Sequence, residues 1–105
     1  MGVTKQEFAR ALSIYSVGAA YDVGPNDEVI LITGTGTPRT LTIPTREAVK
    51  GRILTFKDAG GGAGTNNFTI DPEGSTTIDG AATKVISTNY GTFSIVCDGT
   101  NWFTV

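Results

Sequence analysis

The sequence predicts an all-β fold, a compact sandwich-like or prism-like module of about eight short strands with one short N-terminal helix. Glycine occurs 14 times and threonine 17 times among the 105 residues. Threonine suits half-buried strands, whereas glycine marks turns. Single apolar residues alternate with small polar ones between closely spaced turns, the pattern of a sandwich, barrel or prism. No segment repeats at a fixed spacing, so a regular solenoid is not expected.

The chain is long enough for one domain, which we divide into an N-terminal helix and linker (residues 1–23) and a β-rich module (residues 24–105). Large apolar side chains are few: five Phe, three Tyr, one Trp and one Met. A monomer of this size buries only about two-thirds of its unfolded surface. We therefore expect a homotrimer, in which closed symmetry lets apolar faces bury against copies of themselves. The side chains expected to do so are Ile53, Phe68, Ile78 and Val85.

The N-terminal helix is predicted from about Lys5 to Leu12 or the next residue. Thr4 and Glu7 have the spacing of a capping box, in which each side chain satisfies the other residue's free backbone N–H. Phe8 and Leu12 lie four residues apart and form an apolar stripe on one face. Such a short helix is not stable alone. The Phe8 and Leu12 stripe is therefore expected to pack on the β-rich module, on symmetry mates or on an upstream stalk.

Turn residues divide the β-rich module into strands that follow one another closely. Strands are expected at residues 28–33, 39–43, 51–58, 67–71, 76–79, 83–88, 91–97 and 102–105. The apolar run of the first indicates a central strand. Pro44 ends the second strand, and one helical turn is expected over residues 45–50. Asp98-Gly99 has the composition of a tight hairpin turn.

The charge balance argues against nucleic acid as a partner, and the short apolar runs argue against a membrane span. The net charge is −2 and the isoelectric point is about 4.9, which is the wrong sign for phosphate binding. Residues 59–105 contain one lysine against four carboxylates, so most of their surface is polar and uncharged. Such a surface suits sugars or copies of the chain. The longest apolar run, residues 29–32, is far too short to span a bilayer.

The residue types do not indicate an enzyme, a cofactor or a metal site. The chain has no histidine and one cysteine, Cys97, so an intrachain disulfide and a Cys/His metal site are excluded. Asp71, Glu73 and Asp79 could form a catalytic carboxylate pair or a Ca²⁺ site, but their neighbours Pro72, Gly74 and Gly80 favour turn roles. Residues 59–64 form a glycine-rich segment without the lysine of a phosphate-binding loop. We interpret it as a flexible hairpin connection.

Two aromatic residues, Tyr90 and Trp102, are candidates for glycan contact, because exposed aromatic rings stack on sugars. Tyr90 lies between Asn89 and Gly91, at a turn that is expected to be exposed. Trp102 begins the last strand, where it could equally lock the terminal hairpin. A structural role is the favoured interpretation for both residues.

Five turn motifs occur in a fixed order along the β-rich module. A strand ending in Lys57-Asp58 and its Gly/Ala loop are followed by the motifs at residues 67–74, 77–80, 89–91 and 98–102. Over roughly residues 24–105 this arrangement resembles a recurring β-rich module of tailed-bacteriophage fibres and spikes. The resemblance implies a homotrimeric, virion-exposed and non-enzymatic module made in the host cytoplasm. It defines no catalytic residues to carry over.

The leading functional hypothesis is therefore a structural and adhesive module of a virion fibre or spike, either a tail fibre or a head fibre. Its expected partners are copies of itself, other virion proteins and bacterial surface glycans. Two alternatives remain open: a dedicated carbohydrate-binding module, and the non-catalytic end domain of a polysaccharide depolymerase. The mass in solution separates the first alternative from the leading hypothesis, and the sequence upstream of Met1 separates the second.

Overall fold

The computed structural model describes residues 11–105, which form two β-sheets around one apolar core. Thr45–Glu47 forms a 3-10 helix after Pro44, where one helical turn was predicted. The all-β class is confirmed. The nine strands are β1 (Ile14–Val17), β2 (Tyr21–Asp22), β3 (Val29–Ile32), β4 (Arg39–Ile43), β5 (Ile53–Asp58), β6 (Phe68–Pro72), β7 (Lys84–Ile86), β8 (Thr92–Cys97) and β9 (Trp102–Thr104).

The first six strands wind alternately through the two sheets. Sheet A has the order β1-β3-β5-β8-β9, and sheet B has the order β2-β4-β6-β7. Strands β1, β3 and β5 pair in parallel, as do β2, β4 and β6. The chain therefore makes three turns of a coil, as in a solenoid, although the lack of a fixed repeat argued against a regular one. Ile14 pairs with Val29 and Val29 with Thr55, so successive turns differ in length, 29 − 14 = 15 and 55 − 29 = 26 residues.

The last three strands run antiparallel to their neighbours and complete both sheets. Strand β7 pairs with β6 in sheet B, whereas β8 pairs with β5 and β9 with β8 in sheet A. The β8–β9 hairpin turns at Asp98-Gly99, as the sequence predicted. Gly99 has a φ of 101°, a backbone conformation that residues other than glycine rarely adopt. Asp98 accepts hydrogen bonds from the backbone N–H groups of Thr100 and Asn101, both at 2.8 Å.

One core lies between the two sheets, filled by alternate side chains of nearly every strand. Trp102 is the largest of its fully buried side chains. Phe68 and Ile78, which were expected to bury against other copies, are already enclosed in the core of one chain, so that expectation is wrong for both. Ile53 and Val85 are 55% and 44% exposed and remain available to a partner.

The segment before β3 contributes strands to both sheets, where the sequence predicted a linker. Residues 14–17 and 21–22 form β1 and β2, so the sheets continue across the boundary placed between residues 23 and 24. Residues 11–13, at the end of the predicted helix, are not helical, and Leu12 is exposed. Phe8 and the rest of that helix lie outside the described residues. The predicted extension of the helix to Leu12 is therefore wrong, whereas the packing of Phe8 stays a prediction.

Candidate functional site

Asp58, the last residue of β5, holds two loops together through its buried carboxylate. Its Oδ1 accepts a hydrogen bond from the N–H of Gly61 at 2.9 Å. Its Oδ2 accepts from the N–H groups of Ala63 at 3.0 Å and Tyr90 at 2.9 Å. The carboxylate thus joins the glycine loop (residues 59–64) to the tyrosine turn (residues 88–91).

The glycine loop is not a hairpin connection, because it joins β5 of sheet A to β6 of sheet B. Ala63 within it is fully buried. The small residues of the loop therefore reflect its close packing and not a need for conformational freedom. Hydrogen bonds from backbone N–H groups of the loop to Asp58 determine its path. The prediction of a hairpin was wrong because local composition does not show which sheet the next strand joins.

The charge on Asp58 is favoured by its surroundings. Burial alone would raise the pKa of this carboxyl, but the N–H groups of Ala63, Tyr90, Gly61 and Gly62 outweigh burial and lower the pKa below its ordinary value of 3.8. Asp58 is therefore an ionised clamp at neutral pH. Its lowered pKa and saturated oxygens make it a poor general base.

Tyr90 is the exposed aromatic residue that the clamp holds in place. Its side chain is 60% exposed, and its φ of 61° places the backbone in the left-handed region. That conformation is costly for a bulky residue. Its N–H donates to Asp58, and its carbonyl accepts a hydrogen bond from the Lys57 ammonium. Glycine or asparagine would fit this turn with less strain. The presence of tyrosine therefore indicates that its side chain has a role.

The Tyr90 ring lies against the glycine loop. A Cβ atom added to Gly61 would come within 2.6–2.7 Å of two ring carbons and the hydroxyl oxygen of Tyr90, so a side chain at this position would displace the ring. Gly61 also has a φ of 76°, which a side chain would disfavour. The ring is therefore positioned by packing, while more than half of its surface remains open to a ligand.

The surroundings of Tyr90 are polar and include a cation, the Lys57 ammonium, which lies 6.0 Å from the centre of the Tyr90 ring. Asn89 accepts a hydrogen bond from the N–H of Gly64 at 2.8 Å, which ties the tyrosine turn to the glycine loop a second time. Asn66 donates to the carbonyl of Thr35 at 2.7 Å and brings in the loop between β3 and β4. These three loops form one surface with Tyr90 on it. Amide groups and the Lys57 ammonium around an exposed ring can form hydrogen bonds with the hydroxyls of a sugar that stacks on the ring.

A groove of about 320 Å³ begins beside the tyrosine turn and runs between β7 and β8. Thr88 and Gly91 of the turn line one end of it. The half-buried ring of Phe93 also lines the groove, and the Lys84 ammonium lies 5.3 Å from the centre of that ring. The groove extends the polar surface beyond Tyr90.

Trp102, the second aromatic candidate, does not reach this surface. Its ring is 0% exposed and lies in the core, so it offers no face to a sugar. Glycan contact, the less favoured of the two predicted roles of Trp102, is therefore wrong, and the structural role that the sequence favoured remains. Its indole Nε1–H is buried without a hydrogen-bond partner, so the site is shaped for the volume of the ring rather than for its polar atom.

Of the three carboxylates considered for catalysis or metal binding, Glu73 and Asp79 hold turns, whereas Asp71 lies in β6 and not in the predicted turn. Glu73 accepts hydrogen bonds from the N–H and hydroxyl of Thr45, both at 3.0 Å. Asp79 accepts hydrogen bonds from the N–H of Thr104 at 2.9 Å and from its hydroxyl at 2.6 Å. These hydrogen bonds hold the pKa of both carboxyls below the ordinary range. Within residues 11–105, no group of three or more acidic or cysteine side chains is placed to hold a metal ion.

Cys97 is buried as a free thiol, where the sequence predicted an inert residue in the apolar alternation of a strand. Its sulfur accepts a weak hydrogen bond from the N–H of Gly99 at 3.3 Å, within the β8–β9 turn. A 2% exposed sulfur is poorly accessible to an electrophile.

Comparison of the sequence with protein-family models and with curated proteins finds no match. A separate observation concerns membranes: none of the helices within residues 11–105 is long and apolar enough to cross one.

Proposed function

We propose that the chain is a structural and adhesive module of a tailed-phage fibre or spike, which assembles as a homotrimer and contacts bacterial surface glycans through Tyr90. The observation that carries the proposal is the exposed Tyr90 ring, held by the Asp58 clamp in a strained backbone conformation. Residues kept in sparsely populated backbone conformations tend to mark binding sites.

The turn motifs that resemble phage fibres support the structural part of the proposal. In this fold the acidic residues of these motifs mainly accept hydrogen bonds from the backbone and thereby fix a loop. The residues concerned are Asp58, Glu73, Asp79 and Asp98. Repeated clamping of short turns suits a module whose task is to keep its shape on an exposed particle.

The geometry of Tyr90 supports the adhesive part. Contact with Gly61 and the backbone hydrogen bonds already restrict the ring, so little conformational freedom is lost when a ligand binds. An aromatic residue of this kind supplies a large contact area with only two side-chain torsions to fix. The neighbouring hydroxyl and amide groups can then bind the hydroxyls of a sugar.

Tyr90→Ala is expected to weaken binding to bacterial surface polysaccharides at least tenfold, a loss of about 1.4 kcal/mol. The probe is a panel of immobilised O-antigens and capsular polysaccharides, read by surface plasmon resonance. Tyr90→Phe keeps the ring and should retain most of the binding. Tyr15→Ala, which changes another exposed tyrosine on the first strand, serves as the matched control.

Unchanged binding by Tyr90→Ala would remove Tyr90 from the proposal. Failure of the parent chain to bind any member of the panel would contradict glycan contact altogether. A monomeric parent that binds glycans would favour the second candidate, a dedicated carbohydrate-binding module, which the exposed Tyr90 ring supports equally well.

A further inference from the structure

The groove between β7 and β8 is lined by a lysine that has no carboxylate partner. Lys84 is the first residue of β7, and its side chain is half-buried where it lines the groove. Among residues 11–105 the ion pairs are those of Arg46 and Arg52 with Glu47, so the Lys84 ammonium has none. A charge that is partly removed from water is costly unless a counter-charge binds it. The groove is therefore suited to an anion.

The ring of Phe93 fixes the position of this ammonium. The Lys84 Nζ lies 5.3 Å from the centre of the ring, within the range of a cation–π contact. Phe93 itself packs against the fully buried Phe56, with the two ring centres 5.6 Å apart. The core thus holds the ring, and the ring restricts the lysine. A restricted side chain loses less conformational freedom when it binds a ligand.

Asp79 is near enough to Lys84 for their charges to interact, but both of its oxygens are already occupied. Oδ2 and Oδ1 accept hydrogen bonds from the hydroxyl and the N–H of Thr104. These hydrogen bonds lower the pKa of Asp79, and the charge of Lys84 adds a smaller lowering. Asp58, beside the tyrosine turn, is likewise saturated by backbone N–H groups. The Lys84 ammonium therefore remains available to a ligand in the groove.

The groove supplies hydroxyl groups as well as a cation. Ser87 and Thr88 line it and are exposed, and among the described residues their hydroxyls form no hydrogen bond. They can therefore bind the hydroxyls of a sugar. The volume of about 320 Å³ is at the lower end of the range of about 300–1,000 Å³ for small-molecule sites. A short stretch of a polymer fits such a groove, which begins at the turn that carries Tyr90.

We infer that the bacterial surface polysaccharide is acidic, and that one of its uronic acid residues lies in the groove with its carboxylate bound by Lys84. This inference rests on the proposed contact of Tyr90 with a glycan, here a neighbouring sugar of the same polymer. A neutral sugar would leave the half-buried ammonium without a counter-charge. A second ammonium, that of Lys57, accompanies the Tyr90 ring. Because salt screens charges beyond about 8 Å, these two cations count for more at the site than the net charge of −2.

Chemical reduction of the ligand's carboxylates tests the inference. Capsular polysaccharides that contain glucuronic acid are immobilised beside the same polymers after carbodiimide activation and borohydride reduction, which converts each carboxylate to a primary alcohol. Surface plasmon resonance should show that the parent chain binds the reduced polymers about fivefold more weakly, the effect of losing one ion pair at a partly exposed site. Added salt should weaken binding to the native polymers and leave binding to the reduced polymers unchanged.

Variants of Lys84 assign the effect to the groove. Lys84→Gln should weaken binding to the native polymers by the same factor and leave binding to the reduced polymers unchanged. Lys84→Arg keeps the positive charge and should bind like the parent. The matched control is Lys50→Gln, which removes the same charge from an exposed lysine beside Gly99, at the opposite end of β8 from the tyrosine turn. Circular dichroism checks that each variant is folded.

Three results would count against the inference. Equal binding of the parent to native and reduced polymers would overturn it while leaving the contact at Tyr90 intact, as would a folded Lys84→Gln variant that binds like the parent. Binding only to polymers whose charge is carried by phosphate would overturn the assignment of a carboxylate. A parent chain that binds none of the polymers would instead contradict the proposed glycan contact, and this inference with it.

Discussion

Replacing Trp102 with alanine should destabilise the protein by about 3–5 kcal/mol. The ring is fully buried and is the largest side chain in the core. The backbone of Trp102 also pairs with that of Ile78. Loss of the ring would therefore leave a cavity where the last strand meets the segment around Ile78. Since a domain of this size is stable by only about 5–15 kcal/mol, the variant should unfold at a much lower urea concentration than the parent.

Trp102→Phe separates the volume of the ring from its polar atom. The indole Nε1–H has no partner, so phenylalanine removes an unsatisfied donor and retains most of the packing. We expect this variant to be more stable than Trp102→Ala by at least about 2 kcal/mol. Urea unfolding followed by circular dichroism measures both. Equal stability of Trp102→Ala and the parent would mean that the ring is not part of the core.

Asp58→Ala should have a comparable effect, about 3–5 kcal/mol, because three backbone N–H groups lose their acceptor at once. Each buried donor without a partner costs about 1–3 kcal/mol. The same variant should release the tyrosine turn and weaken glycan binding. The control is Asp71→Ala, at a half-buried carboxylate of β6, where a change of less than about 0.5 kcal/mol is expected.

The pH dependence of stability tests the same clamp. The pKa of Asp58 in the folded protein lies below its ordinary value of 3.8, because backbone N–H groups outweigh the effect of burial. Its contribution is therefore present above about pH 4 and is lost as the pH falls through the folded-state pKa. The free energy of unfolding of Asp58→Asn should fall less steeply with decreasing pH than that of the parent. An identical acid profile would show that Asp58 is not ionised in its clamp.

Local patterns predicted most strands but not the way in which they are wound. Strands β3 to β9 were predicted because their side chains alternate or form apolar runs between turns. The strand predicted at residues 76–79 is wrong, because Ile78 forms only isolated bridges there. Strands β1 and β2 carry little such pattern, since three of the four residues of β1 are exposed. The parallel coil was missed because its turns differ in length, and a solenoid is recognised in a sequence by a constant repeat.

The sequence predicted only part of the candidate site. Whether it predicted a residue depended on whether local sequence alone determines the burial and contacts of that residue. Tyr90 was identified by its position in a turn, which determines exposure locally. For Trp102 the sequence favoured a structural role but left glycan contact open, because burial depends on Ile78 and on both sheets, which are distant in sequence. Asp58 was missed, although an aspartate directly before a glycine-rich loop is a signal for a side chain that binds the backbone of a turn.

The mass of the parent chain in solution tests the proposed assembly most directly. Light scattering at micromolar concentration should give three times 11.0 kDa, or 33 kDa, if the chain assembles as the proposed homotrimer. The mass should not change on dilution over the range in which circular dichroism reports full β content. A folded chain with a strictly monomeric mass of 11.0 kDa would contradict the account.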